Sequence, residues 1–458
     1  MKGRVVIPVR ISQLLINRNF ALLWMGRSIS NFGDSIFDTT LVLWIATRLA
    51  YGQTWAPLAV SGIFLAISFP TFIIGPVAGV FADRWDKRLT MLTTDALRAL
   101  LIVVLALTTV LPIPVLAGGY LPVRAQLAGI YAVVLLATIC ALFFSPSRLA
   151  LIRDLVDEPD RARASSLLQV TDSVARLAGP AVAAPLFYLF GVQWALIANA
   201  LSFVVSFLAL LAIQAPPPAR SVALGEVGSV LRELADGFRF FLGNRVLVTI
   251  VISVMLAMLG FGALNALNVF FLTQNLHARV TLYGLLSSAL GFGAVVGAAL
   301  AGVLAHRLGV ARLFWLSMMG MGTLVVIYSR LTMFLPAVAV LFLLGIVNDA
   351  TEVAIGPMML QATPRELIGR VSAVMLPAAY LASMFSTSLA AFLDSTVLRG
   401  LHLNLLGISW GQTDTIFTGA GLLTLGGGIY AAIALGGVEL GQEKALGDER
   451  ERGQGGAA

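Results

Sequence analysis

The composition excludes a water-soluble protein. Of the 458 residues, 59% are hydrophobic and 12% are charged, whereas ordinary soluble domains carry about 25% charged residues. The formal net charge is +7, but the basic residues are spread over many loops and are not interleaved with aromatic residues, so a nucleic-acid partner is not indicated. The single cysteine, Cys140, excludes an internal disulfide framework and a cysteine-rich metal site. We therefore expect an all-α integral membrane protein.

Twelve apolar segments are long enough to cross a bilayer. They lie near residues 20–47, 58–82, 90–111, 125–147, 165–189, 192–213, 246–274, 281–305, 313–331, 336–360, 371–393 and 413–437. An even number of spans places both termini on one side, and no cleavable leader opens the chain. The termini and the loops on their side hold 22 Lys and Arg residues, and the opposite loops hold five. The positive-inside rule therefore predicts a multi-pass protein of the plasma (inner) membrane with both termini in the cytoplasm.

The spans fall into two predicted bundles with a polar connection. Residues 1–213 form the expected N-terminal six-helix bundle, and residues 246–437 form the C-terminal one. Residues 214–245 begin with a proline-rich stretch and continue with apolar residues at helical spacing, which predicts a cytoplasmic linker. Its amphipathic helix lies along the inner membrane surface or, alternatively, binds a partner. The polar residues 438–458 predict a disordered cytoplasmic tail.

The charged loop after the second span carries the most informative motif. Residues 79–88 read Gly-Val-Phe-Ala-Asp-Arg-Trp-Asp-Lys-Arg, so a long uncharged run ends abruptly in a cluster of charges. A second copy at residues 302–307 reads Gly-Val-Leu-Ala-His-Arg and matches the first at four of six positions. The second copy has His306 in place of the acid. Two copies, one in each predicted bundle, indicate that the chain contains two related halves.

The spacing Gly-x-x-x-Asp-Arg-x-x-Lys-Arg resembles the signature between the second and third helices of the major facilitator superfamily of secondary transporters. Three further stretches resemble the macrolide-efflux and enterobactin-exporter branch of that superfamily: residues 17–34, 143–146 and 364–371. The resemblance implies two six-helix repeats with a substrate site between them near the middle of the membrane. It also implies export of bulky, amphiphilic molecules, drugs or macrolides among them, in exchange for protons.

The resemblance further implies a gate at the cytoplasmic side. We expect the gate motif to comprise six residues: Gly79, Asp83, Arg84, Lys87, Arg88 and Asp154. Glycine allows the second span to pack closely against the eleventh, and the acid faces the beginning of the eleventh helix. Asp154, at the inner end of the fourth span, is expected to join Arg84 or Arg88.

Ionisable residues within the membrane are candidates for function, because burying one there costs roughly 2.5–3.5 kcal/mol on insertion scales. Arg27, Asn31, Asp34 and Asp38 recur at helical spacing in the first span and form one stripe. This stripe is expected to face a central cavity, with Asp38 either part of the site or a solvated residue at its rim. Two acid–base pairs, Asp95 with Arg98 and Asp172 with Arg176, are expected to neutralise each other on their own helices.

The second half supplies fewer polar residues. Asn265 and Asn268 in the seventh span either bind substrate or bridge helices. Asp349 and Glu352 in the tenth span have no base within that span. We expect these two acids to take the coupling proton, while Asp34 holds substrate or shares the proton; the alternative is a salt bridge to Arg98 or Arg176.

Other energy sources and chemistries are not indicated. There is no phosphate-binding Gly-x-x-x-x-Gly-Lys-Ser/Thr loop and no His-Glu-x-x-His motif. We therefore expect no cofactor, no metal and no enzymatic activity, with the proton gradient as energy source and a monomer in the lipid bilayer as the working unit. The alternatives are a lipid or siderophore exporter or flippase of the same fold, and a non-transporting membrane scaffold.

Overall fold

A computed structural model describes residues 16–82, 85–109, 121–214, 238–364, 367–401, 403–405 and 408–436. Twelve helices of 20 to 33 residues account for most of these: α1 Arg18–Trp44, α2 Ala56–Ala82, α3 Lys87–Thr109, α4 Val123–Leu155, α5 Arg161–Phe190, α6 Val192–Ala212, α7 Arg245–Gln274, α8 Tyr283–Leu308, α9 Val310–Ser329, α10 Phe334–Ala362, α11 Ile368–Phe392 and α12 Gln412–Leu435. The strands β1 Leu403–Leu405 and β2 Ile408–Trp410 form one antiparallel hairpin between α11 and α12. The predicted all-α membrane fold is confirmed.

Ten of the helices are long and apolar enough to cross a membrane. α1 is not among them, because it carries the polar stripe that includes Arg27, Asp34 and Asp38. The predicted fourth span was too short: α4 continues to Leu155 through Pro146. Consequently Arg148 lies inside a helix and not in a loop.

The helices pack as two equivalent sets. In the first half, α1 packs against α5 and α6, α4 against α2 and α3, and α3 against α6. In the second half, α7 packs against α11 and α12, α10 against α8 and α9, and α9 against α12. Each pair in one half therefore has its counterpart six helices later. The two halves meet through α2 with α11 and through α5 with α8, which are again counterparts.

The connections define two faces of the molecule. The end of α1, the beginnings of α2 and α12, and the end of α7 line a common cavity. We call this side the distal face, and the side where α1 begins the proximal face. At the distal face a single residue, Gly191, joins α5 to α6 with φ 88°, and at the proximal face Gly309 joins α8 to α9 with φ 81°. Only glycine adopts such positive φ angles without a steric penalty.

The contact between α5 and α8 is close and lies toward the distal face. The Ser288 hydroxyl donates a hydrogen bond to the Leu177 carbonyl at 2.6 Å. At Gly284, an added Cβ would lie 2.9 Å from the carbonyl carbon of Pro180 and closer still to its oxygen. Glycine at this position is therefore what allows the two halves to approach so closely.

Part of the predicted linker falls within the described residues. The chain is helical at residues 238–243. Phe241 is buried against Leu247 and Val251 of α7 and Val371 of α11, whereas Phe238 is half exposed. The rest of the predicted amphipathic helix and the tail after residue 436 lie outside the described residues, and the boundaries of the two bundles remain predictions.

Candidate functional site

The predicted stripe on α1 faces other helices of the first half. The Arg27 guanidinium lies 3.8 Å from the Asp34 carboxylate, and the two side chains are 15% and 35% exposed. Asn31 donates a hydrogen bond to the Asp172 carboxylate on α5. Three of the four stripe residues thus belong to one polar network, which we call the first-half cluster; its charged and amide members are Arg27, Asn31, Asp34, Asp95, Arg98, Arg148 and Asp172.

α3 contributes two nearly inaccessible charges to this cluster. Asp95 is fully buried and accepts a hydrogen bond of 2.6 Å from the Ser206 hydroxyl on α6. Arg98 is 3% exposed and lies 5.5 Å and 5.2 Å from the ring centres of Phe144 and Phe203, in cation–π contact with both. No ion pair within 4 Å joins Asp95 to Arg98 in the described part of the chain. Their predicted mutual neutralisation therefore does not occur by direct contact.

Arg148 on α4 is the member of the cluster that sequence reasoning missed. Two of its guanidinium nitrogens are buried without a hydrogen-bond partner among the described residues. Asp172 is the acid that interacts electrostatically with Arg148, so Asp172 is engaged by α1 and α4. The predicted pair of Asp172 with Arg176 is wrong, because Arg176 is exposed and donates to the Ser173 hydroxyl at 3.3 Å. The sequence contains a signal for this position: four apolar residues follow Arg148, which indicates that the helix continues beyond it.

The cluster is electrically balanced. Its bases are Arg27, Arg98 and Arg148, and its acids are Asp34, Asp95 and Asp172. Equal numbers of opposite charges allow a polar centre to form inside an apolar bundle, where isolated charges would be costly. In the first half, the positive charges of the cluster are therefore balanced by an equal number of negative charges.

The acids of α10 are arranged differently. The Asn348 amide donates to Asp349 at 3.5 Å, and Glu352 is exposed one helical turn further along. The base that acts electrostatically on both acids is Arg176, which comes from α5 in the other half. No ion pair within 4 Å is formed by these three side chains within the described ranges. Asp349 and Glu352 thus interact electrostatically with Arg176 of the other half, but they do not form the salt bridge that was the alternative.

A cavity of about 260 Å³ brings together three predicted residues from both halves. Asp38 lines it from α1, and Asn265 and Asn268 line it from α7, among apolar residues of α2, α7 and α8. The Tyr328 hydroxyl donates a 2.6 Å hydrogen bond to Asn268, so Asn268 bridges α7 and α9. Asn265 makes no side-chain hydrogen bond within the described residues and is available to a ligand.

The proximal ends of α3, α4 and α6 contain the described part of the predicted gate. Asp154 pairs with Lys87 at 2.7 Å, and not with Arg88, which donates to the carbonyls of Leu210 and Leu211 at 3.0 Å and 2.7 Å. Asp83 and Arg84, as well as the surroundings of Gly79, lie outside the described residues. In the second motif copy an added Cβ at Gly302 would meet no atom within 4 Å.

A sequence model of the Major Facilitator Superfamily matches residues 23–387. The chain belongs to the Major Facilitator Superfamily. It is 23% identical over 390 residues to the uncharacterized MFS-type transporter YkuC of Bacillus subtilis, covering 82% of this chain and 86% of the relative. It is 24% identical over 366 residues to the enterobactin exporter EntS of Shigella flexneri, covering 80% and 82%.

Solved structures of other superfamily members share the fold. The nucleoside transporter NupG has a TM-score of 0.69 at 11% identity and covers 91% of this chain and 99% of its own. A bacterial homologue of the iron transporter ferroportin, in an inward-facing state, has a TM-score of 0.66 at 13% identity, with coverage of 91% and 97%. The family match makes this facilitator a membrane transporter. No group of three or more potential metal ligands occurs in the part of the chain that the structure describes.

Proposed function

We propose that this facilitator is a proton-coupled exporter of amphiphilic small molecules, with residues 1–213 and 246–437 moving against each other. The observation that carries the proposal is the position of Asp349 and Glu352. They are acids inside a membrane helix whose interacting base, Arg176, belongs to the opposite half. Relative movement of the halves therefore changes the charge environment of both acids.

That change supplies a means of coupling. When Arg176 approaches, the ionised carboxylates are favoured and protons leave; when it withdraws, the acids rebind protons. A cationic or hydrogen-bonding substrate competes with those protons for the same carboxylates, so the protonated and substrate-bound states exclude each other. Mutually exclusive binding of two ligands, combined with alternating access, is antiport.

The remaining predicted residues would contact substrate. Asp38 and Asn265 line the 260 Å³ cavity between the halves with free polar groups on apolar walls, a lining suited to amphiphiles. Asp34 is held by Arg27 and therefore shares protons or substrate less freely than the acids of α10. The first-half cluster holds α1, α3, α4 and α5 together as one moving body.

Transport by everted membrane vesicles tests the proposal. Uptake of a fluorescent cation such as ethidium is measured with and without an imposed pH gradient, in the wild type and in the double variant Asp349→Asn with Glu352→Gln. We expect the double variant to lose gradient-driven uptake and to bind ethidium more weakly, because both competing carboxylates are removed. The matched control is Asp157→Asn, an exposed acid of the loop between α4 and α5, which should transport normally. Gradient-dependent uptake in the double variant would exclude the two acids as the coupling site.

The second candidate is a siderophore exporter or a lipid flippase. Siderophore export is favoured by the relatives described as enterobactin exporters, which are similar over four-fifths of this chain. Everted vesicles loaded from outside with enterobactin, or vesicles carrying a fluorescent phospholipid, distinguish these substrates from ethidium. Absence of flux with every compound would indicate a non-transporting scaffold.

A further inference from the structure

The distal face contains a second, larger cavity of about 1270 Å³. Its walls come from both halves: the loop between α1 and α2, the end of α7, and the connection between α11 and α12. It shares no lining residue with the 260 Å³ cavity. We call it the distal cavity.

Two π-helical turns face this cavity. Ile45–Leu49 extends α1, and Leu393–Val397 extends α11. In each turn a backbone N–H donates to the carbonyl five residues earlier at 2.8 Å: Ala50 to Ile45 in the first and Leu398 to Leu393 in the second. Such turns are rare and occur frequently at functional sites, because they redirect side chains that an α-helix would place elsewhere. Here the two turns lie at the distal ends of helices from different halves.

The second π turn presents unsatisfied polar groups to the cavity. Asp394 is 4% exposed, and one of its oxygens accepts a 3.0 Å hydrogen bond from the Thr413 hydroxyl. The other oxygen has no hydrogen-bond partner among the described residues. Ser395 is 7% exposed and its hydroxyl is buried without any partner in the same described set. Both side chains line the cavity, so their unpaired oxygens can accept a hydrogen bond from a ligand bound there.

The other charged groups around the cavity are already engaged or lie elsewhere on its rim. Asp414 accepts hydrogen bonds from the Asn275 amide and from a backbone N–H at the beginning of α12. Arg330 lies over the ring of the tryptophan that ends β2, at 4.0 Å from its centre. Arg399, His277 and Tyr51 complete the charged and titratable groups of the wall. Of the two carboxylates that line this cavity, Asp394 is thus the one with an oxygen that has no hydrogen-bond partner among the described residues.

We infer that the distal cavity binds amphiphilic amines, with the ammonium group on Asp394 and Ser395 and the apolar part on Phe270 and Tyr51. Phe270 and Tyr51 line the same cavity, and Tyr51 is 77% exposed. In an exporter of such molecules this is the site that substrate occupies on leaving, and that role rests on the proposed function. The proposed binding of amines does not rest on that function, because binding requires no gradient and no movement of the halves.

The protonation of Asp394 gives the site a pH dependence. The residue lies beyond the end of α11 at the distal face, and burial raises its pKa to about 6. An amine therefore meets a carboxylate at pH 7.5 and a largely neutral carboxyl at pH 5.0. We expect affinity for the amine to fall about tenfold over that range.

Fluorescence polarisation of dansylcadaverine with the full-length protein in nanodiscs tests the site. The double variant Asp349→Asn with Glu352→Gln serves as background, because it removes the competing acids of α10. Adding Asp394→Asn should weaken binding at least tenfold at pH 7.5, and the N-acetylated, uncharged probe should bind the background weakly. Unchanged affinity after Asp394→Asn, or equal affinity for the acetylated probe, would overturn the inference.

A folding control keeps the test interpretable. Ser395→Ala removes a hydroxyl that makes no hydrogen bond within the described residues, so it should fold normally and weaken dansylcadaverine binding about threefold. Wild-type affinity in that variant would also count against the site. Dansylcadaverine binding that does not depend on Asp394, together with intact gradient-driven export in the wild type, refutes only this inference. Binding that depends on Asp394, together with gradient coupling retained in the Asp349→Asn, Glu352→Gln double variant, refutes only the proposed coupling mechanism.

Discussion

The close approach of α5 and α8 gives a sharp prediction for Gly284→Ala. The new Cβ would lie 2.9 Å from the Pro180 carbonyl carbon and 3.2 Å from the Ala181 Cα, whereas carbon atoms prefer about 3.5–4.0 Å. These neighbours are backbone atoms and cannot rotate away, so the helices must separate by roughly 1 Å. Overpacking of this kind costs about 1–3 kcal/mol.

The cost applies to one state only. α5 and α8 belong to different halves, so separating them penalises the arrangement in which they touch near the distal face and leaves the packing within each half unchanged. A penalty of about 1–3 kcal/mol corresponds to about a 5–150-fold shift in the ratio of the two states. We therefore expect Gly284→Ala to populate molecules that are open at the distal side.

Distances between spin labels report this shift. Cys140 is the only cysteine, so Cys140→Ser provides a background in which labels are introduced at Leu189 and Met333. These positions lie near the distal face in different halves and are 75% and 67% exposed. In reconstituted protein, Gly284→Ala should increase the population with the longer distance between the labels.

Two other glycines of α8 serve as matched controls. Gly302→Ala meets no atom within 4 Å and should leave the distances unchanged. At Gly293 a Cβ would lie 2.8 Å from the carbonyl carbon of Phe342, within the same half, so Gly293→Ala should lower the melting temperature without favouring the open state. A wild-type distance distribution in Gly284→Ala, or the same shift in Gly302→Ala, would refute the reasoning.

Three further predictions concern stability and are measured by thermal or denaturant unfolding in detergent. Lys87→Met should lower the unfolding free energy by less than about 1 kcal/mol, because its pair with Asp154 is partly exposed; a larger loss would show that the pair is shielded from water. Tyr328→Phe should cost about 1–2 kcal/mol, because it leaves Asn268 without its buried donor, and an unchanged melting temperature would contradict this. The pKa of Asp394 is raised to about 6 in the folded state, so its protonated form is stabilised by folding and stability should fall by about 2 kcal/mol as pH rises from 4 to 7. Asp394→Asn should remove that part of the pH dependence; identical profiles for the variant and the wild type would exclude the assignment.

Hydropathy predicted the helices well because the bilayer requires long apolar segments whose backbone groups bond within the segment. The error at α4 arose from treating Arg148 as a loop residue at the membrane surface. That expectation holds for an isolated helix in lipid. It failed here because a neighbouring helix supplies Asp172, so that a base can remain inside the bundle.

Partners of the intramembrane charges were predicted less well for a related reason. Spacing of three or four residues identifies neighbours on one helix, which led to the expected pair of Asp172 with Arg176. In the bundle, side chains from other helices compete for the same carboxylate, and Asn31 and Arg148 occupy it instead. Sequence spacing carries no information about which helix faces lie against each other. It therefore grouped the polar residues of α1 but placed them all at a central cavity, which only Asp38 lines.

The one-residue connections at Gly191 and Gly309 have a mechanical consequence. A helix joined to its successor by a single residue cannot shift far along its axis unless the successor follows. Because α5 and α8 form the contact between the halves, any displacement there is passed directly to α6 at one face and to α9 at the other. The long connection with its hairpin between α11 and α12 imposes no such constraint. The two contacts between the halves are therefore unequally constrained. Movement at the α5–α8 contact is transmitted directly to the next helices, whereas the α2–α11 contact is followed at its distal end by a longer connection.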